Sequence, residues 1–141
     1  MVKKKLFDKC VGLLEESGLG ENAVCEVTWV FEDVAEGEDI TPEQEKRISD
    51  IVTRRCEGYP LQYLLGQWEF YGLPFKVGEG VLIPRQDTET IVDTALKMFA
   101  GKKDITVIDL CSGSGCIGIT LERKLDCGRA VCCLLYTSPS P

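Results

Sequence analysis

The chain has 141 residues, 44% hydrophobic and 28% charged, a balance that excludes intrinsic disorder and suffices for one domain or two small ones. A formal net charge of −7 opposes direct binding to a nucleic-acid backbone over most of the surface. The basic start at Lys3, Lys4 and Lys5 is followed by Asp8, Lys9, Glu15 and Glu16, not by the apolar core of a signal peptide.

No later stretch reaches the roughly 20 apolar residues of a bilayer span, so a cytoplasmic protein without a membrane partner is expected. The eight cysteines form no C-x-x-C pair and histidine is absent, which argues against a zinc site and excludes His-based catalysis within these residues. Reduced thiols acting as small apolar side chains are expected, with no metal. Lys3 to Lys5, and Arg54 with Arg55, read as solvated helix faces.

In chain order, Leu6, Phe7, Cys10, Leu13 and Leu14 recur at helical spacing and stop at Gly18. Ala23, Val24, Val27, Val30, Phe31 and Val34 form a second stripe. Thr41, Pro42 and Gln44 make a helix start, because a threonine cap, a proline at the first position and a glutamine returning the bond satisfy the free amides together. Ile48, Ile51, Val52 and Cys56 are its buried stripe, and one more short helix runs from Pro60 to Gly66.

The pattern changes at Trp68. Residues 68–84, W-E-F-Y-G-L-P-F-K-V-G-E-G-V-L-I-P, are aromatic and β-branched with Gly and Pro punctuation, which predicts a short hairpin or irregular strand pair joining two domains. Phe70 and Tyr71 read as packing residues between those domains. Ile91, Val92, Ala95, Leu96 and Phe99 mark an amphipathic helix ended by Gly101. I-T-V-I-D-L from Ile105 is a strand, followed by the glycine-rich C-S-G-S-G-C-I-G and a helix to about Leu125, the opening of a Rossmann-like unit.

Gly113, Gly115 and Gly118 match the dinucleotide pattern G-x-G-x-x-G, so a nicotinamide oxidoreductase is one reading. In that pattern, however, the strand runs directly into the first glycine, whereas Asp109 stands at the strand end four residues earlier. S-adenosylmethionine suits this better. It has no pyrophosphate to neutralise, and its loop needs bare backbone for close approach and an acid near the strand end. Asp109 would position the cofactor's amino end, or else cap the following turn. Cys111 and Cys116 read as thiols packed beneath that turn.

Residues 60–90, P-L-Q-Y-L-L-G-Q-W-E-F-Y-G-L-P-F-K-V-G-E-G-V-L-I-P-R-Q-D-T-E-T, taken with 107–118, V-I-D-L-C-S-G-S-G-C-I-G, resemble the PrmC/HemK family of protein glutamine methyltransferases. The resemblance implies an α + α/β fold: a small N-terminal helical domain and the start of a Rossmann-like class I methyltransferase domain, truncated. Its expected parts are a helical substrate-recognition domain at 1–66, a hairpin linker at 67–84, the start of the cofactor domain at 85–133, and a non-native tail at 134–141. It also implies methyl transfer from S-adenosylmethionine to a glutamine amide of a peptide chain release factor, the protein partner. Asp109, Cys111, Ser112, Gly113, Ser114 and Gly115 would hold the cofactor, with Arg85, Thr88 and Glu89 near the pocket mouth. A bland alternative makes Asp87 or Thr88 a helix cap and Glu89 a partner of the helix dipole.

Gln86 and Cys111 depart from that family's usual proline and glycine; Cys111 is expected to take a backbone conformation open to any side chain. The family's N-P-P-Y catalytic motif is absent from these residues, and the acid expected for the ribose hydroxyls falls near Leu134. Inactivity of this chain by itself is therefore expected, as is a strand at 105–110 with exposed, protease-sensitive edges. A methyltransferase of other specificity and a non-catalytic helical binding module are the remaining alternatives.

Overall fold

A computed structural model describes residues 3–35, 37, 39–125 and 127–134. Most of the expected foreign tail, 135–141, lies outside the described residues. The chain divides into two compact units at Gly66/Gln67, each with its own core.

The first unit is helical: α1 (Lys3–Glu16), a 3-10 turn (Gly20–Asn22), α2 (Ala23–Val34), α3 (Pro42–Cys56) and α4 (Leu61–Leu65). Its core gathers Leu6, Cys10 and Leu14 from α1, Val27 and Val30 from α2, and Ile48 and Val52 from α3. The α3 start forms as the sequence implies: the Gln44 amide donates to Thr41 Oγ1 at 3.2 Å, and the Thr41 amide donates to Gln44 Oε1 at 2.9 Å. Gly66 ends α4 in the left-handed conformation, φ 76°, where a side chain would be strained.

The expectations for Val24, Leu13 and Arg55 fail here. Val24 is 56% exposed and Leu13 42% exposed, because spacing marks a helical face only to within about a residue and neighbouring helices decide which positions are covered. Arg55 is not solvated: its Nε and Nη2 donate to both carboxylate oxygens of Glu26 at 2.6 and 3.0 Å, and that bond raises the guanidinium pKa above its ordinary value. No helix among the described residues is long and apolar enough to cross a membrane.

The second unit begins with an antiparallel hairpin, β1 (Gln67–Phe70) and β2 (Leu73–Lys76), in register Phe70↔Leu73. A 3-10 turn (Gln86–Thr88) leads into α5 (Glu89–Phe99); β3 (Ile105–Leu110), α6 (Cys116–Lys124) and β4 (Cys127–Cys133) follow. β3 and β4 pair in parallel, which requires the crossover that α6 supplies. Phe70, Phe75, Val92, Cys116 and Leu121 form this unit's core. Phe70, expected between domains, thus belongs to the interior of one unit, where its ring meets Phe75 edge-on at 6.2 Å. Ile91, expected on the buried stripe of α5, is 52% exposed, whereas Val92 is fully buried.

Candidate functional site

β3 delivers the chain into the glycine loop, and the loop is shaped by backbone that turns left-handed at three places: Cys111 (φ 62°), Gly113 (φ 55°) and Gly115 (φ 76°). The Ser112 amide donates to the Cys133 carbonyl at 3.0 Å, extending the strand pairing into the loop. The Gly115 amide donates to the Ser112 carbonyl at 2.8 Å and tightens the turn that starts α6. A Cβ on Gly113 would meet nothing within 4 Å, so this stretch of bare backbone faces open space. Ser114 is half-buried beside it.

Asp109, near the end of β3, turns its side chain to α6: the Gly118 amide donates to Asp109 Oδ2 at 2.9 Å. The carboxylate therefore caps one of the free amides of the first helical turn, and its charge is favourable there. Oδ1 has no hydrogen-bond partner among the described residues. The capping alternative for Asp109 is thus realised in the structure.

Gly118, the third glycine of the G-x-G-x-x-G pattern, makes this junction possible. A Cβ there would lie 2.8 Å from Cys132 Sγ, 3.0 Å from Asp109 Cβ and 3.1 Å from Asp109 Oδ2. The signal was present, since the third glycine of such loops serves close helix–strand packing. Cys132 stands opposite Asp109 in the sheet register. Burial, then the nearby Asp109 and Glu122, push its thiol pKa up, so it sits beside the loop in the neutral form.

Two cysteine expectations need correction. Cys116 packs in the core, but Cys111 is exposed, so it does not lie beneath the turn. Nor does Cys111 have a conformation open to any side chain; φ 62° is the region that favours glycine, because a Cβ there crowds the following carbonyl. Cys111→Gly is expected to raise the stability of the second unit by about 1 kcal/mol, measured as a shift of the urea midpoint at unchanged slope. A lower midpoint would show that the thiol supplies more than the strain removes.

Arg85, Thr88 and Glu89 lie on the segment entering α5. Arg85 is exposed, and its carbonyl accepts the Thr88 amide at 3.0 Å. Thr88 occupies the cap position of α5 with helical dihedrals and no side-chain cap bond, which corrects its assignment as a side-chain cap. The local bond comes instead from the Thr90 hydroxyl, which donates to the Asp87 carbonyl at 2.7 Å. Glu89 Oε1 accepts the Tyr71 amide at 2.7 Å. Among the described residues no hydrogen bond or ion pair joins Arg85, Thr88 or Glu89 to the 111–115 loop. Position 134, where counting puts the ribose-binding acid, directly follows β4 and holds an exposed leucine.

The model described as the PrmC N-terminal domain matches residues 25–66. The release factor glutamine methyltransferase of Fusobacterium nucleatum is 37% identical over 131 residues, covering 85% of this chain and 37% of that protein. The protein of the same name from Geobacter sulfurreducens is 38% identical over 139 residues, covering 91% of this chain and 48% of its own. The chain belongs to the PrmC/HemK family. A Bacillus cereus member with the same name is 39% identical over 121 residues, 79% of this chain and 43% of that protein. The chain therefore spans less than half the length of these family members.

Proposed function

We propose that the protein to which these residues belong methylates the side-chain amide of a glutamine in a peptide chain release factor, with S-adenosylmethionine as donor. The observation that carries this reading is the junction of β3, the 111–115 loop and α6. There, bare backbone at Gly113 faces open space and Asp109 is fixed by Gly118 with one oxygen to spare. When bound, S-adenosylmethionine supplies an electrophilic methyl group on its sulfonium. Asp109 Oδ1 would hold the amino group of its methionine end, and Cys111, Ser112, Gly113, Ser114 and Gly115 would give the backbone wall along it. The Arg85–Glu89 segment would form part of the pocket mouth.

An amide nitrogen is a weak nucleophile, because its lone pair is delocalised into the carbonyl. Its methylation requires acceptors that hold the NH2 in line with the donor methyl. These 141 residues contain no N-P-P-Y sequence to do so. The 141-residue chain is accordingly expected to bind the cofactor without turning it over, and the helical unit to contribute to docking of the release factor.

Calorimetric titration of the chain with S-adenosylmethionine, S-adenosylhomocysteine and NAD tests the cofactor reading; tighter binding of NAD would overturn it. Incubation with release factor and methyl-labelled S-adenosylmethionine, beside a version as long as the relatives, tests the rest. Label is expected on the release factor only with the longer chain. Transfer by neither would favour a binding module over an enzyme.

A further inference from the structure

The hairpin β1–β2 turns through Tyr71 and Gly72, both at positive φ (54° and 74°), the type I′ form that normally calls for Asn, Asp or Gly at its first position. An aromatic residue is badly suited to that backbone, and it is held there by one backbone and two side-chain contacts. The Tyr71 amide donates to Glu89 Oε1 at 2.7 Å, its phenol donates to Asp93 Oδ1 at 2.7 Å, and the Lys124 ammonium stands 5.7 Å from its ring centroid. Glu89 and Asp93 are one turn apart on α5, so they reach the same hairpin tip, and α5 packs against α6, which carries Lys124.

The Asp93 bond raises the phenol pKa above its ordinary value, and Asp93 and Glu89 on α5 oppose its ionisation from the same side. Tyr71 therefore remains a proton donor at neutral pH. Between the two ends of these bonds the chain runs through β2 and residues 77–88, with Val77 and Pro84 buried and Arg85 exposed.

We infer that Tyr71, Glu89 and Asp93 form a latch that closes residues 72–88 into a loop of fixed shape, and that Glu89 is a positioning residue for this loop. Both ends of Tyr71, amide and phenol, are held by charged acceptors, which give the stronger class of hydrogen bond. The loop carries Arg85 and Thr88. That the latch thereby shapes the mouth of a cofactor pocket rests on the function proposed above, whereas the latch itself does not.

Hydrogen exchange on the 141-residue chain tests it, using Glu89→Ala, Glu89→Gln and Tyr71→Phe. In Glu89→Ala the amides of Val81 and Thr88, which donate to the Gly78 and Arg85 carbonyls, should exchange about tenfold faster or more, as expected for loss of a charge-assisted bond, while those of 105–110 and 127–133 keep their rates. Glu89→Gln retains an acceptor oxygen and should fall between this variant and the parent. Tyr71→Phe removes only the phenol bond and gives the decisive reading if the alanine variant does not fold. Unchanged exchange of Val81 and Thr88 in both Glu89→Ala and Tyr71→Phe would overturn the latch, as would equal acceleration of the 105–110 strand. S-adenosylhomocysteine titration of the same proteins separates the two ideas. A parent that binds none, with the local exchange effect present, would defeat the cofactor reading and uphold the latch.

Discussion

Gly118→Val should lower the stability of the second unit by about 3 kcal/mol and abolish binding of S-adenosylhomocysteine. The first added carbon would lie 2.8 Å from Cys132 Sγ and 3.0 Å from Asp109 Cβ. The thiol can rotate away, but Asp109 Cβ is fixed by its strand, so α6 itself must move. That movement breaks the bond from the Gly118 amide to Asp109 Oδ2 and frees the carboxylate that the cofactor reading needs held. Gly118→Ala places the same first carbon there and should disturb the same contacts, but less, because it lacks the two methyl groups of valine and alanine recovers roughly 1 kcal/mol of helix propensity over glycine. Chemical denaturation and calorimetric titration of the two variants would check the order. A valine variant as stable as the parent would show that helix and sheet do not approach as closely as described.

What could be read from the sequence was what neighbouring residues decide. Thr41, Pro42 and Gln44 announce a helix start because all partners lie within one turn, and the capping box forms. The strand at Ile105–Leu110 shows in its composition, and the glycine loop after it shows in its spacing. What could not be read depends on residues distant in the chain. Arg55 looks like an exposed charge until Glu26, on another helix, supplies both oxygens. Val24 and Ile91 sit at apolar helical spacing, yet no neighbouring element covers them.

The candidate site divides in the same way. Asp109 and its glycines belong to one contiguous motif, and their grouping is local. That Asp109 spends one oxygen on Gly118, and Glu89 one on Tyr71, required partners across the loop and across the hairpin. Cys111 is the instructive intermediate. The departure from glycine is visible in the sequence, but its cost appears only when the backbone at that position proves left-handed.

Phe70→Ala should be the most damaging truncation in the second unit, at about 3–5 kcal/mol. Phe70 is 1% exposed and meets Phe75 edge-on, so alanine there loses both the buried area and an aromatic pair. Its neighbours in the core, Val92 on α5 and Cys116 and Leu121 on α6, come from separate elements, and a cavity between them cannot close without moving a helix. Small units hold little stability in reserve, since whole domains are typically stable by only about 5–15 kcal/mol. Cooperative unfolding of 67–134 at room temperature is therefore expected, read as loss of amide protection in β3 and α6. The helical unit draws its core from Leu6, Leu14, Val27, Ile48 and Val52, so protection in α1 to α3 should persist. Leu82→Ala is the control: at 71% exposure it should change stability by no more than about 0.5 kcal/mol. If Phe70→Ala and Leu82→Ala proved equally mild, the hairpin would not be part of this core, and the latch at its tip would have nothing rigid to fasten.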